Sequence, residues 1–300
     1  MRVLVTGASG FVGEVVCRQL QERGHAVSAL VRRPGSEPAG TTAVAGDLTD
    51  GERLREAVAA AAPDAVVHLA AEIATQRDEQ RIREVNVEGT RRLVEACRAA
   101  GGPRIVFSST VVTGDAHGAL LTEDAPLPVT TPYGRSKQEG ERLVLDSGLP
   151  AVVIRPSHVY GPGGWYANDL VARLRGPGRF AVIGRGDNLW DVVHVDDVAS
   201  ACVIAIESGA APGQVFHCAD DTPITCYDFL ALTARELGLG APRRIPAAIA
   251  RLVAGPNAVA AVVRSARSSN AKLKRELGWQ PRYPSAEQGV PATIAALAAG

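Results

Sequence analysis

The chain has almost no lysine. Of its 32 basic residues only Lys137, Lys272 and Lys274 are lysines, and the rest are arginine. Methionine occurs once, and aromatics make up 4% of the 300 residues. Neither sign of charge is in surplus, since acidic residues also number 32. That balance gives no electrostatic ground for a nucleic-acid or anionic-membrane partner. No apolar run reaches the roughly 20 residues that a spanning helix needs. The most membrane-like stretch, "AAIARLVAGPNAVAAVV", is interrupted by Arg251 and Pro256. The opening "MRVLVTGASG" turns from a short apolar run straight into glycines, unlike a signal peptide. Cys17, Cys97, Cys202, Cys218 and Cys226 form no C-x-x-C pair and share no zinc-like spacing with histidine. They read as reduced core thiols of a cytoplasmic protein, and no metal is expected.

An apolar fraction of 46% is enough for a folded core. Short β-branched runs ("VLVTG", "AVSALV", "DAVVHLA", "RIVFSS", "AVVIRP") alternate with helical patterns at 11–23, 51–61, 80–100 and 132–147. Strands apolar on both faces, separated by helices, predict an α/β fold: a doubly wound parallel sheet of Rossmann type. After Pro156 the rhythm breaks. Residues 157–190 are rich in glycine, proline and aromatics, "QVFHCA" looks like one more strand, and the chain from about 221 is mostly helical. The expected layout is a dinucleotide-binding domain from 1–156 plus about 191–220. A smaller, discontinuous, mostly helical substrate lobe would come from about 157–190 plus 221–300. Ligands of such sheets bind at the carboxyl ends of the strands.

Gly7, Gly10 and Gly13 in "TGASGFVG" sit between the first strand and the first helix. A dinucleotide needs a tight turn there, close approach of backbone to diphosphate, and a helix N-terminus aimed at the phosphates. The second strand ends in "LVRRPG", where an NAD site usually carries a carboxylate. Arg32 and Arg33 instead suit a 2′-phosphate, because the guanidinium fork donates two hydrogen bonds. NADP(H) is the expected cofactor, with NAD(H) the alternative.

Tyr133 and Lys137 are four apart, behind Thr131 as helix cap and Pro132 at the first helical position, so they share a face. A free tyrosine, with a pKa of about 10, exchanges protons poorly at neutral pH. An ammonium at ~4 Å, with an effective dielectric near 20, would favour the phenolate by about 4 kcal/mol, roughly 3 pK units. "VFSSTVVTG" places hydroxyls at Ser108, Ser109 and Thr110 on a strand end, where a donor can meet a carbonyl oxygen.

Together these motifs resemble the short-chain dehydrogenase/reductase superfamily, in its extended type that includes the NAD(P)-dependent epimerase/dehydratases. The resemblance runs almost end to end. It implies cofactor contacts from the glycine turn with Phe11 and Val12, from Asp47 and Leu48 in "GDLTD", and from Ala70 and Ala71 in "VVHLAA". It implies that Tyr133 exchanges the proton, Lys137 lowers its pKa and grips the nicotinamide ribose, Ser109 polarises the carbonyl, and Asn86 supports the lysine through water. A lysine serves there where an arginine, which cannot shed its charge, would not. It also implies a homodimer through the helices of Asn86 and Tyr133.

Two positions depart from the sugar-nucleotide members: His158 stands where an asparagine is usual, and Trp190 where an arginine is usual. Both losses weaken the grip on a diphosphate. Thr110, His158, Trp165, Tyr166 and Trp190 are therefore candidate contacts for a small or apolar carbonyl or alcohol substrate. The expected activity is NADP(H)-dependent carbonyl reduction or alcohol oxidation. The alternatives are a sugar-nucleotide epimerase that uses NAD(P) transiently, and a non-catalytic NADP-sensing regulator.

Overall fold

A computed structural model describes residues 1–299 apart from 177–180, 210–211, 255–258 and 260–261. Chain order runs β1 (Arg2–Thr6), α1 (Phe11–Glu22), β2 (Ala26–Val31), β3 (Thr42–Ala45), α2 (Gly51–Ala61), β4 (Ala65–His68), α3 (Gly89–Ala99), β5 (Arg104–Ser108), α4 (Pro132–Leu145), β6 (Ala151–Pro156), α5 (Val195–Glu207), β7 (Gln214–Cys218), α6 (Cys226–Glu236), α7 (Ala271–Leu277) and α8 (Ala286–Ala299). The seven strands form one sheet in the order β7-β6-β5-β4-β1-β2-β3. Every pairing in it is parallel.

The period-two alternation of each strand feeds two cores. Val3 and Val5 of β1 point into a cluster with Val16 and Leu20 of α1 and Val198 and Cys202 of α5. Leu4 points the other way, toward Leu54 of α2, Leu93 of α3 and Val144 of α4. Each fully buried Leu or Val contributes roughly 1.5–3 kcal/mol, so a strand with both faces covered is anchored twice. Strand order reverses between β1 and β4, which opens a crevice at the carboxyl ends.

The cofactor turn meets the distal part of the chain at one ring. Phe11, the first residue of α1, lies against Gly161, Gly163 and Gly164. A Cβ at Gly163 would stand 2.9 Å from the ring, and one at Gly164 2.7 Å. A third cluster joins Tyr160, Tyr166, Leu170 and Trp190 to Phe229 of α6 and Val290 of α8. The C-terminal landmark "LGW" behaves differently. Gly278 ends α7 at φ 65, and Trp279 packs into the sheet core, donating from Nε1 to Asp197 O at 3.2 Å and Ser200 Oγ at 2.9 Å.

The run read as one helix over 80–100 has an interruption. An α turn at Glu79–Arg83 passes into a π turn at Glu84–Glu88 before α3. Part of the stretch "AAIARLVAGPNAVAAVV" lies outside the described residues, including Pro256. Among the described residues no helix is long and apolar enough to cross a membrane.

Candidate active site

The glycine turn is built for close approach. Gly7 has φ +70, and a Cβ there would stand 2.7 Å from Ala70 N. A Cβ on Gly13 would stand 2.0 Å from Gly7 O, so α1 sits directly against the turn. Gly10 caps α1 without a side chain, which leaves the first-turn N–H groups free of a side-chain acceptor. Beside this turn lies a cavity of about 720 Å³, lined by Gly7, Gly10, Arg32, Arg33, Asp47, Leu48, Ala70 and Ala71. Ser9, Ser36, Glu72, Arg81 and Val85 also line it, and motif reading singles out none of these five. Three cations therefore share the cavity with two carboxylates. Arg81 pairs with Glu72 at 3.0 Å. Burial raises the Asp47 pKa, but hydrogen bonds from Thr49 and the charges of Arg32 and Arg81 hold it below the usual carboxylate range. That carboxylate comes from the end of β3, and β2 ends in arginine. Of the other turn residues, Val12 packs on the sheet core, Phe11 on the Gly161–Gly164 loop, and Gly13 on the turn itself.

The acid–base candidates gather on the neighbouring strand ends. Thr131 caps α4 by accepting from Gly134 N at 3.0 Å, with Pro132 at the first helical position. The cap sets Tyr133 and Lys137 one turn apart on one face. The loop after β5 packs on this first turn: Thr130 N donates to Thr113 O at 3.1 Å, and a Cβ on Gly134 would meet Thr113 at 3.1 Å. Ser109 N donates to Ile154 O at 2.7 Å, which pins the residue. Its Oγ is buried and finds no hydrogen-bond partner among the described residues. A buried hydroxyl left this way costs free energy and points to a partner from outside the chain.

Asn86 ties the cavity wall to α4. Its Oδ1 accepts from Glu72 N at 2.7 Å, and its Nδ2 donates to Glu72 O at 3.0 Å and to Ser136 Oγ at 2.9 Å. Ser136 in turn donates to Tyr133 O at 2.8 Å. The π turn around Asn86 is secured by Thr90, whose Oγ1 donates to Asn86 O at 2.7 Å. That bond assigns the proton on His68. Nε2 must donate to Thr90 Oγ1 (3.0 Å), so Nδ1 accepts from Thr6 Oγ1 (2.7 Å), which itself accepts from Ala70 N (3.2 Å). A single directed chain thus joins Ala70 in the cavity wall to Asn86. Burial, then the charge of Lys137, push His68 down to about 3, so it stays neutral.

The expected acidic phenol needs correction. Tyr133 is half-buried, and burial pushes its pKa up to about 12. Lys137 is driven down to about 8 by burial, with the Glu141 charge opposing. Its ammonium rests 4.2 Å from the Phe107 ring centroid. Removing both charged forms from water outweighs the attraction between them.

The substrate candidates divide. His158 stacks on Trp190 with centroids 5.3 Å apart and 19° between planes, and Trp165 meets Trp190 edge-on at 6.4 Å. Trp165 Nε1 donates to Val159 O at 2.7 Å. Tyr166 does not face a pocket: it is fully buried in the third cluster, with its hydroxyl 3.0 Å from Thr233 Oγ1. Expecting substrate contact from it was wrong, because a ring in a lobe of packed aromatics serves the core. Thr110 is committed to backbone, donating to Pro156 O and accepting from Val112 N.

A group that motif reading missed lies beneath His158. Arg264 is 5% exposed and donates from Nη1 to Gly114 O at 3.1 Å. Its Nη2 is 3.5 Å from Asp191 Oδ1, and Ser268 Oγ donates to the other Asp191 oxygen. His158 Nδ1 bonds Asp191 O at 3.1 Å, and burial followed by the Arg264 charge holds the ring neutral, at about 3. The Arg264 Nε is buried and finds no hydrogen-bond partner among the described residues.

A parallel seven-stranded sheet with a glycine cradle at its carboxyl edge defines a dinucleotide-binding fold of Rossmann type. Residues 3–219 match the NAD dependent epimerase/dehydratase family, and the chain belongs to it. It is an NAD(P)-dependent short-chain dehydrogenase/reductase acting on a CH–OH or C=O group. The 3-diazoavenalumate denitrifying reductase of a Streptomyces species is 37% identical, over 97% of this chain and 99% of that protein. The 2-alkyl-3-oxoalkanoate reductase of Stenotrophomonas maltophilia is 32% identical, over 81% and 77%. Among solved structures, the UDP-glucose 4-epimerase of Thermus thermophilus in complex with NAD has a TM-score of 0.84 at 27% identity, covering 99% of both chains.

Proposed function

We propose that this enzyme is a net carbonyl reductase that uses NADP(H) on a small substrate without a diphosphate. The observation that carries the reading is the Ser109 hydroxyl, buried without a partner among the described residues just past the end of β5. The glycine turn and the uncapped end of α1 would hold the diphosphate, Arg32 and Arg33 the 2′-phosphate, and Lys137 the nicotinamide ribose. When bound, the nicotinamide supplies hydride chemistry at carbon. The chain's own groups manage the oxygen: Ser109 donates a hydrogen bond to it as charge grows, and Tyr133 delivers a proton. His158, held neutral, and Trp190 offer no cation to a diphosphate. The reductase names of the two curated relatives point the same way.

An epimerase of sugar nucleotides is the second reading, supported by the likeness to UDP-glucose 4-epimerase. We place the substrate lobe over 157–190 and 221–300, and a homodimer interface on α3 and α4. The decisive experiment is turnover of a carbonyl panel with NADPH against NADH. We expect net NADPH consumption, and a loss of about 10- to 100-fold in NADPH preference when Arg32 and Arg33 become alanine. Tyr133→Phe should lose at least about 100-fold in kcat with NADPH binding retained. Interconversion of UDP-sugars without net cofactor change would overturn the reading.

A further inference from the structure

Glu141 stands on α4 one turn beyond Lys137, which stands one turn beyond Tyr133. Spacing by four sets the three side chains along one face. Glu141 is 5% exposed and Lys137 3%. A carboxylate this deep requires partners. Arg155 on β6 supplies a bidentate one, donating from Nε at 2.8 Å and from Nη2 at 2.7 Å. Arg155 Nη1 also donates to His217 Nε2 at 3.4 Å, which fixes the fork from its other side.

Lys137 itself makes no hydrogen bond or ion pair among the described residues. The groups that face it are few. Tyr133 and Glu141 lie on its own helix, the Phe107 ring on β5, and neutral His68 on β4. Arg155 lies beyond Glu141. Glu141 is the carboxylate whose field reaches the ammonium.

We propose that Glu141 is a positioning residue of the acid–base set: held by Arg155, it is the standing counter-charge that keeps the Lys137 ammonium charged in a dry site. The distance of one turn matters. A carboxylate in direct contact would capture the ammonium and draw it away from Tyr133. The Arg155 clamp prevents that swing, and its own charge offsets only part of the carboxylate's field at the ammonium. The opposing effects of burial and Glu141 leave Lys137 at about 8, so a modest loss of field would neutralise it at working pH.

The bearing on catalysis rests on the function proposed above, but the charge on Lys137 can be read without turnover. Three lysines allow uniform [13C]lysine labelling with each ε-carbon resolved by NMR, assigned through Lys272→Arg and Lys274→Arg. Glu141→Gln should lower the Lys137 titration midpoint by about one unit or more, with Lys272 and Lys274 unmoved as internal controls. An unmoved Lys137 midpoint in the folded variant overturns the proposal. If Glu141→Gln does not fold, Glu141→Gln combined with Arg155→Gln removes both charges and leaves neither orphaned. Its Lys137 midpoint should also fall, and one that stays put overturns the proposal equally. A null result in the carbonyl panel would sink the reductase reading and leave the midpoint intact, so the two can fail separately.

Discussion

Lys137 is the costliest side chain in the site. Its pKa falls from 10.5 to about 8 on folding, which corresponds to about 3 kcal/mol against the folded state at neutral pH. Because the folded value lies below the unfolded one, the cost stands in full below about pH 8 and is relieved up to pH 10.5, where only the unfolded chain still binds the proton. This residue alone therefore makes stability rise with pH across that window. Lys137→Met should raise the thermal midpoint at pH 7, remove that upward slope and abolish turnover; calorimetry at pH 7 and pH 10 checks it, and a lower midpoint would show that the ammonium is not the burden described. At this scale the motifs were legible because their chemistry is local. Tyr133 and Lys137 are fixed by one helical turn and a Thr-Pro cap. The direction of the Tyr133 shift was not legible, since burial depends on what packs around the phenol from other elements. Arg264 was invisible for the same reason: it reaches Gly114 across 150 residues of sequence.

At the scale of elements, alternating β-branched runs announced the strands, since each must bury two faces. The π turn at Glu84–Glu88 left no such signal. A local bond from Thr90 Oγ1 to Asn86 O, one turn back, accompanies it, and His68 from β4 backs that bond across the fold. A π turn of this sort commonly marks a functional position, and here it presents Asn86 to Glu72 and Ser136. Thr90→Val keeps the shape and removes the hydroxyl, leaving His68 Nε2–H without its acceptor. We expect a loss of about 1–3 kcal/mol in denaturant unfolding, together with weaker NADPH binding as the wall at Ala70 and Glu72 loosens. Unchanged binding would mean that the chain from Ala70 to Asn86 is structural only.

On the scale of the whole molecule, the sheet half could be read residue by residue and the distal part only in outline. The described elements of 157–190 are short, and their contacts lie far away in sequence: Tyr166 with Thr233, Asn188 Nδ2 with Val262 O and Arg264 O. A local pattern cannot report such pairings. It could report the aromatic content, which makes His158, Trp165, Tyr166 and Trp190 candidates although Tyr166 and Trp190 belong to the third core cluster.

Phe11 carries this scale into kinetics. Its backbone opens the helix that would receive the diphosphate, and its ring rests in the Gly161–Gly164 loop a few residues past His158. The nucleotide and the reactant are thereby not independent visitors. Whichever steadies the ring prepares the loop, and only the nucleotide reaches the ring's own turn. On the function proposed above, we expect compulsory addition with coenzyme first, visible as competitive inhibition by the oxidised coenzyme against the reduced coenzyme alone; Phe11→Ala should relax that sequence toward random entry.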